Sequence, residues 1–260
     1  EIKADTYEGF IVFQPESLPA DTVHLRLEVG SETIENHGDD QPDKLSRLRW
    51  LNSTLGAEED FIIHPFTPVE TSENVVKILG RTLELDKTGL PKAINSFFKE
   101  EMTGLKKESE PILTEPISMN VIANGSSMTW KSQPYKVVNS STSKASWSTE
   151  NQAENIMMKV EGSIEYDGML QYHISLISDK DIMVDDIRLR IPYHEEAAKY
   201  MLGLGYKGSQ RPKSIDWKWD VTNQHEGIWL GNVNKGLQYV LRDLNYQRPL
   251  NTNFYQSQPL

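Results

Sequence analysis

Period-two alternation of apolar and polar residues recurs along most of this chain and constrains its fold more than any other feature. In IMMKVEGSIEY, Ile156, Met158, Val160, Ile164 and Tyr166 fall on one face, and Lys159, Glu161, Ser163 and Glu165 on the other. Asp167-Gly168 follows, and Leu170, Tyr172, Ile174 and Leu176 then resume the apolar face. Successive side chains of a strand point to opposite sides, so this pattern suits a half-buried sheet and not a helix. Asp-Gly between two such runs predicts a hairpin, because glycine tolerates the positive φ of a primed turn. Shorter alternating runs occur at Val23, Leu25, Leu27 and Val29, at Ile117, Met119 and Val121, and at Leu237, Tyr239 and Leu241. Asn124-Gly125 and Lys87-Thr88-Gly89 supply further turns.

The run after the hairpin changes phase. Ile182 and Val184 are even-numbered, whereas Ile187, Leu189 and Ile191 are odd-numbered. A one-residue slip flips every side chain, so a β-bulge is expected at Asp185-Asp186. An adjacent carboxylate pair also admits a catalytic or calcium reading, but the bulge is the simpler one. EEAAKYML, Glu195 to Leu202, predicts a short helix with Gly203 as its cap. Ala93 to Met102 fits either a strand or a short helix. Residues 30–46 read as an acidic linker, and 104–111 and 139–155 as exposed polar loops. The expected architecture is all-β: a large antiparallel β-sandwich with one or two short helices. It divides into an N-terminal strand region with an acidic linker at 1–45 and a main β-sandwich domain at 46–260.

The formal charge of −11 argues against binding a phosphate backbone, which needs clustered Lys and Arg. No apolar run reaches the roughly 18 residues of a membrane-spanning helix, so no membrane span is expected. There is no cysteine, hence no disulfide, thiol chemistry or cysteine metal site. The six histidines (24, 37, 64, 173, 194, 225) show no metal-ligand spacing. His173 and His24 lie on polar faces of predicted strands and read as solvated. GLGYKGSQ, 203 to 210, lacks the ending of a phosphate loop and reads as a loop closing the predicted helix. No cofactor is implied, and structural calcium is left open.

Three of the six tryptophans, Trp217, Trp219 and Trp229, lie within IDWKWDVTNQHEGIWLGNVN, residues 215–234. Asp220, Asn223, Asn232 and Asn234 accompany them. Aromatic walls beside a few polar groups suit a sugar ligand, whose C–H faces stack and whose hydroxyls need partners. Trp217 and Trp219, two apart, are expected on one side of a strand. The ordinary alternative is packing on the sandwich or on a neighbouring domain, since tryptophan is usually buried. Trp50 and Asn52 form a second candidate patch.

SRLRWLNSTLG (46–56), ILGRTLELDKTGLPKAINSFF (78–98), and YMLGLGYKGSQRPKSIDWKWD with GIWLGNVNKGLQ (between 200 and 238) resemble the non-catalytic N-terminal β-sandwich region of bacterial glycoside hydrolases related to glycoside hydrolase family 123. The resemblance implies a sandwich, the galactose-mutarotase-like supersandwich being one form of it. It also implies a partner, a C-terminal catalytic (β/α)8 domain of the same polypeptide, and carbohydrate as the substrate class. The periplasm or outer surface of a Gram-negative cell is the compartment implied. Enzymes of that family use an adjacent Asp-Glu pair, and no Asp-Glu dipeptide occurs in these 260 residues. No catalytic residue is therefore carried over. The tryptophan segment becomes a candidate interdomain surface or outer sugar subsite. A free-standing carbohydrate-binding module and a mutarotase-like sugar epimerase are the alternatives, the latter with little support from scattered histidines.

Overall fold

The computed structural model describes residues 2–16, 19–33, 58, 60–218 and 227–240. The chain divides into two compact units, Glu1–Leu55 and Gly56–Leu260. In the first, β1 (Asp5–Phe13) and β2 (Asp21–Val29) form a two-stranded antiparallel hairpin.

The second unit is built almost wholly from antiparallel strands. An up-and-down sheet runs β3 (Glu70–Ser72), β4 (Val75–Ile78), β5 (Arg81–Leu85), β6 (Pro91–Phe98) and β7 (Leu105–Pro111). Next come β8 (Ser118–Ala123) and the short β9 (Ser126–Ser127), β10 (Lys131–Ser132) and β11 (Val138–Asn139). The long strands β12 (Lys144–Ala153), β13 (Ile156–Glu165) and β14 (Leu170–Ser178) carry the second large sheet, with β10 and β11 pairing along β12. β15 (Asp186–Arg190) joins β8 and β9 in a three-stranded sheet. The last sheet has the order β17-β16-β18-β19, from β16 (Tyr200–Gly203), β17 (Tyr206–Gln210), β18 (Gly227–Asn232) and β19 (Lys235–Val240).

Alternation explains the core. Val76, Ile78, Leu83, Leu85 and Ile94 of the first large sheet meet Ala145, Trp147 and Ile164 of the second in one cluster. Fully burying a side chain of this size contributes roughly 1.5–3 kcal/mol, so these facing rows hold the sandwich closed. Leu90, Met158 and Val160 form a smaller cluster with Met119, Trp130 and Ile174.

The hairpin expected at Asp167-Gly168 is present. Ile164 pairs with Leu170, and Gly168 takes φ +97°. At Asn124-Gly125 both residues have positive φ, 51° and 73°, as a type I′ turn between β8 and β9 requires. His173 and His24 are exposed, as their faces predict.

Other expectations are corrected. Glu195–Ala197 is a 3-10 turn, not the start of a helix through Leu202, and no α-helix occurs among the described residues. Tyr200–Gly203 is drawn into β-pairing with β17 and β18 instead, and helices this short are marginal without tertiary support. GLGYKGSQ is accordingly a hairpin turn leading into β17. Ala93–Phe98 belongs to β6, with Pro91 as the strand's first residue, where a missing N–H is tolerated. Residues 105–111 and 144–153 are strands, not loops. β7 is an edge strand, where Lys106, Lys107, Glu108 and Glu110 discourage further pairing. β12 buries every second residue, two of them polar (Thr149 and Asn151).

The phase change near Asp185 has a different origin from a bulge. The strand begins only at Asp186 and pairs with β8 without a register shift. Asp185, in the bend before it, accepts the Gly125 N–H at 2.8 Å. Asp186 accepts from Arg188 Nε at 2.5 Å, so the two carboxylates serve different partners. Most of the acidic linker lies outside the described residues.

Candidate functional site

Among the residues expected to form a site, Trp50, Asn52, Trp219, Asp220 and Asn223 lie outside the described residues. Trp217 is half-buried in an irregular segment after β17. Trp229, Asn232 and Asn234 lie in or beside the β18–β19 hairpin, and the structure separates their roles.

Asn234 is buried and points inward. Its Nδ2 donates to the Phe98 carbonyl at 2.8 Å, and its own carbonyl accepts the Ser96 hydroxyl at 2.7 Å. Beside it, the Glu110 carboxylate receives the ammonium groups of Lys235 and Lys106. Asn232 donates to the Glu196 carbonyl at 3.1 Å. These contacts clamp the β18–β19 turn onto β6, β7 and the 3-10 turn. Both asparagines fasten this turn, Asn232 through the Glu196 carbonyl and Asn234 through the Phe98 carbonyl and, at 3.4 Å, the Glu110 carboxylate.

Trp229 faces the other way. The register of β16, β18 and β19 sets Met201, Ile228, Leu230, Leu237 and Tyr239 toward the interior, and Tyr200, Leu202, Trp229 and Gln238 outward. The indole lies across Gly231, where a Cβ would sit 2.2 Å from Cζ2, and its Nε1 would be 3.3 Å from a Cβ on Gly236. Gly231 and Gly236 are cross-strand partners, so together they make a flat seat for the ring. Tyr200 and Leu202 flank it, 39% and 52% exposed. The result is an aromatic and aliphatic platform on the outer face of this sheet, with Gln238 opposite Trp229 and Gln210 opposite Tyr200.

A concave surface that the sequence alone does not reveal crosses the outer face of β12, β13 and β14. Two cross-strand rows line it: Ser148, Glu161 and His173, then Ser146, Ser163 and Gln171. Lys136 and Val138 close one side of this open groove of about 590 Å³. Three serines between longer neighbours create the depression. A hydrogen bond from Lys159 at 2.8 Å, reinforced by the Lys159 charge and by His173, holds the Glu161 carboxyl below the usual carboxylate range. Trp147 borders the groove only from beneath, its indole N–H donating inward to the Gly89 carbonyl at 2.9 Å. The period-two pattern identified this face as polar, but concavity depends on which short residues meet across three strands.

The groove therefore offers hydrogen bonds without an exposed ring, and the platform offers rings with two nearby amides. Among the described residues, no cluster of three or more His, Asp or Glu is arranged to hold a metal ion.

Residues 69–260 match the family model for glycoside hydrolase 123, third domain, a description that implies other domains in the parent protein. No curated protein and no solved structure matched the chain.

Proposed function

Since the chain belongs to the glycoside hydrolase 123 family, through that family's third domain, we propose that it is a non-catalytic accessory β-sandwich supporting a C-terminal (β/α)8 catalytic barrel of the same polypeptide. The observation that carries this reading is the Tyr200–Leu202–Trp229 platform. A contiguous apolar patch on an otherwise acidic, polar domain marks a place where another surface sits. The lack of an Asp-Glu dipeptide agrees with catalysis residing elsewhere in the parent. Export to the periplasm or outer surface of a Gram-negative cell belongs to the same proposal, because large glycans are met there.

Purified chain should show no turnover of aryl-glycosides. Turnover abolished by a single Asp or Glu substitution would overturn the proposal.

Direct carbohydrate binding, as a module in its own right or as an outer subsite, is a second reading favoured by the seating of Trp229. A ring laid flat over two glycines presents one face for stacking on a pyranose, and Gln238 lies within reach of hydroxyls. Titration with mono- and oligosaccharides, followed by tryptophan fluorescence, should then give saturable changes in the wild type and not in Trp229→Ala. Silence across a broad glycan panel would leave the docking role alone.

A further inference from the structure

The chain contains one Asn-Gly pair, Asn124-Gly125, and it forms the tip of the β8–β9 hairpin. Such a pair carries its own reaction, because the glycine nitrogen has no side chain beside it to hinder an approach to the asparagine Cγ. In that reaction the Gly125 N–H loses its proton to base from solvent, and a bond forms from Gly125 N to Asn124 Cγ. The Cγ–Nδ2 bond breaks, and Nδ2 takes up a proton and leaves as ammonia. Water then opens the five-membered imide at either carbonyl, giving aspartate or isoaspartate. Nothing is oxidised or reduced, and the one co-reactant is water.

Two features of the fold oppose this step. Asn124 and Gly125 have φ 51° and 73°, and the first central residue of a type I′ turn has ψ of about +30°. At that ψ the Gly125 nitrogen lies roughly opposite Cβ about the Asn124 Cα–C bond, so the ring closes only if this bond rotates and the turn opens. The Gly125 N–H, which must give up its proton, also donates to Asp185 Oδ2 at 2.8 Å. Removing that proton would set an amide anion against a carboxylate, and a carboxylate is far too weak a base to take it. Asp185 is anchored in turn. Its backbone N–H donates to the Ile122 carbonyl at 2.8 Å, near the foot of the same hairpin, and Asp186 pairs with Ile122 as β15 begins. Among the described residues nothing packs within 4 Å of the Gly125 Cβ position, so the hydrogen bond, and not packing, holds this end of the turn.

We propose that Asn124 is a deamidation site and that Asp185 is the latch that keeps it closed. Opening the latch converts the turn. Isoaspartate adds a main-chain carbon to a two-residue turn and a negative charge beside Asp185. The change passes directly into β8, whose Val121 is fully buried, and so into the sheet that β8 forms with β15.

Wild type, Asp185→Asn and Asp185→Ala are aged in mildly alkaline buffer. Peptide mass spectrometry follows the conversion of Asn124 by its mass gain, and isoaspartate by its separate chromatographic peak. Asn139 serves as the internal reference, because its Nδ2 donates to the Val69 carbonyl and the Ser140 N–H to the Lys144 carbonyl, contacts that do not involve Asp185. Wild-type Asn124 should convert at least about tenfold more slowly than in the same chain unfolded in urea. Asp185→Ala should accelerate it by about tenfold, the change in turn opening expected when one hydrogen bond to a charged group is lost. Asp185→Asn keeps a neutral acceptor and should fall between the two, with Asn139 unaffected in both variants. Equal Asn124 rates in wild type and Asp185→Ala overturn the proposal. A slower rate in Asp185→Ala does so as well, since the carboxylate would then promote the reaction. Equal acceleration of Asn139 would credit the fold as a whole and not the latch, and a wild-type rate matching that in urea would show no latch at all.

Discussion

Trp147 and Gly162 are cross-strand partners on β12 and β13, and the indole lies so close over the glycine that a Cβ there would be 2.3 Å from Cε2. The ring also donates to the Gly89 carbonyl at 2.9 Å and meets Tyr172 edge-on at 5.7 Å. One glycine thus lets the largest side chain of the sheet lie flat inside the sandwich and reach the turn of the opposing sheet.

Gly162→Ala should destabilise the domain by about 1–3 kcal/mol, because the added methyl overpacks a region that cannot retreat. Urea unfolding should show a lower midpoint with an unchanged slope. Trp147→Phe in the same background should recover part of the loss, since a smaller ring gives the methyl room. Additive losses in the double variant would contradict this packing.

Asn151 is fully buried and donates from Nδ2 to the Thr88 and Met158 carbonyls, both at 3.2 Å. Asn151→Asp replaces those donors by a carboxylate facing two carbonyl oxygens, with burial adding to the repulsion. Its folded pKa should therefore exceed the unfolded value near 3.9. The sign follows: the protonated form is tolerated, and stability falls as pH rises from about 4 toward the raised folded value. Thermal melts should show the gap to wild type widening from pH 4 to pH 7. A gap independent of pH would contradict the buried placement.

Burial, with Asp86 nearby, pushes the Tyr135 hydroxyl up to about 12. Burial also raises Tyr172, Tyr193 and Tyr239. Tyr135 and Tyr172 donate to the carbonyls of Asp86 and Gly89 at 2.5 and 3.2 Å, which only a neutral hydroxyl can do. The unfolded chain binds fewer protons than the folded one above about pH 10, so their contribution is intact below that value and lost as pH climbs toward 12. Alkaline titration should show late, cooperative tyrosinate absorbance coinciding with loss of structure. Smooth ionisation of all ten tyrosines with structure retained would disprove it.

Glu110 receives Lys106 and Lys235, and the Lys235 side chain is only 9% exposed. Glu110→Ala strands that ammonium and should lower stability by about 2–3 kcal/mol, somewhat under the loss on breaking a fully buried pair. Lys92→Ala, which breaks the exposed pair with Glu84 at 2.7 Å, should change it by under about 1 kcal/mol. Salt should shrink the second effect more than the first. Equal losses would show that burial does not distinguish the two pairs.

Much of this protein was legible one segment at a time. The all-β class, the β13–β14 register and the turns at Asp167-Gly168 and Asn124-Gly125 follow from side-chain period and from residues that accept positive φ, both local properties. From sequence β12 resembles a loop, because its inner face runs Ala145, Trp147, Thr149, Asn151 and Ala153, too polar to look like core. Only the turn of the opposing sheet, which supplies carbonyls to Trp147 and Asn151, makes that face a buried one. Glu195 to Leu202 carried helix-forming residues, but pairing with β18 outweighed their weak intrinsic preference. Both Trp147 and Trp229 rest on glycines, and no local signal separates them. The first is buried and the second half-buried, because a sheet lies opposite one and the other lies on the outward side of its sheet. Composition and period determined that strands form and which residues share a side. Which sides are closed over was decided by the strands brought opposite them, since burial is a property of two surfaces and a sequence segment describes only one.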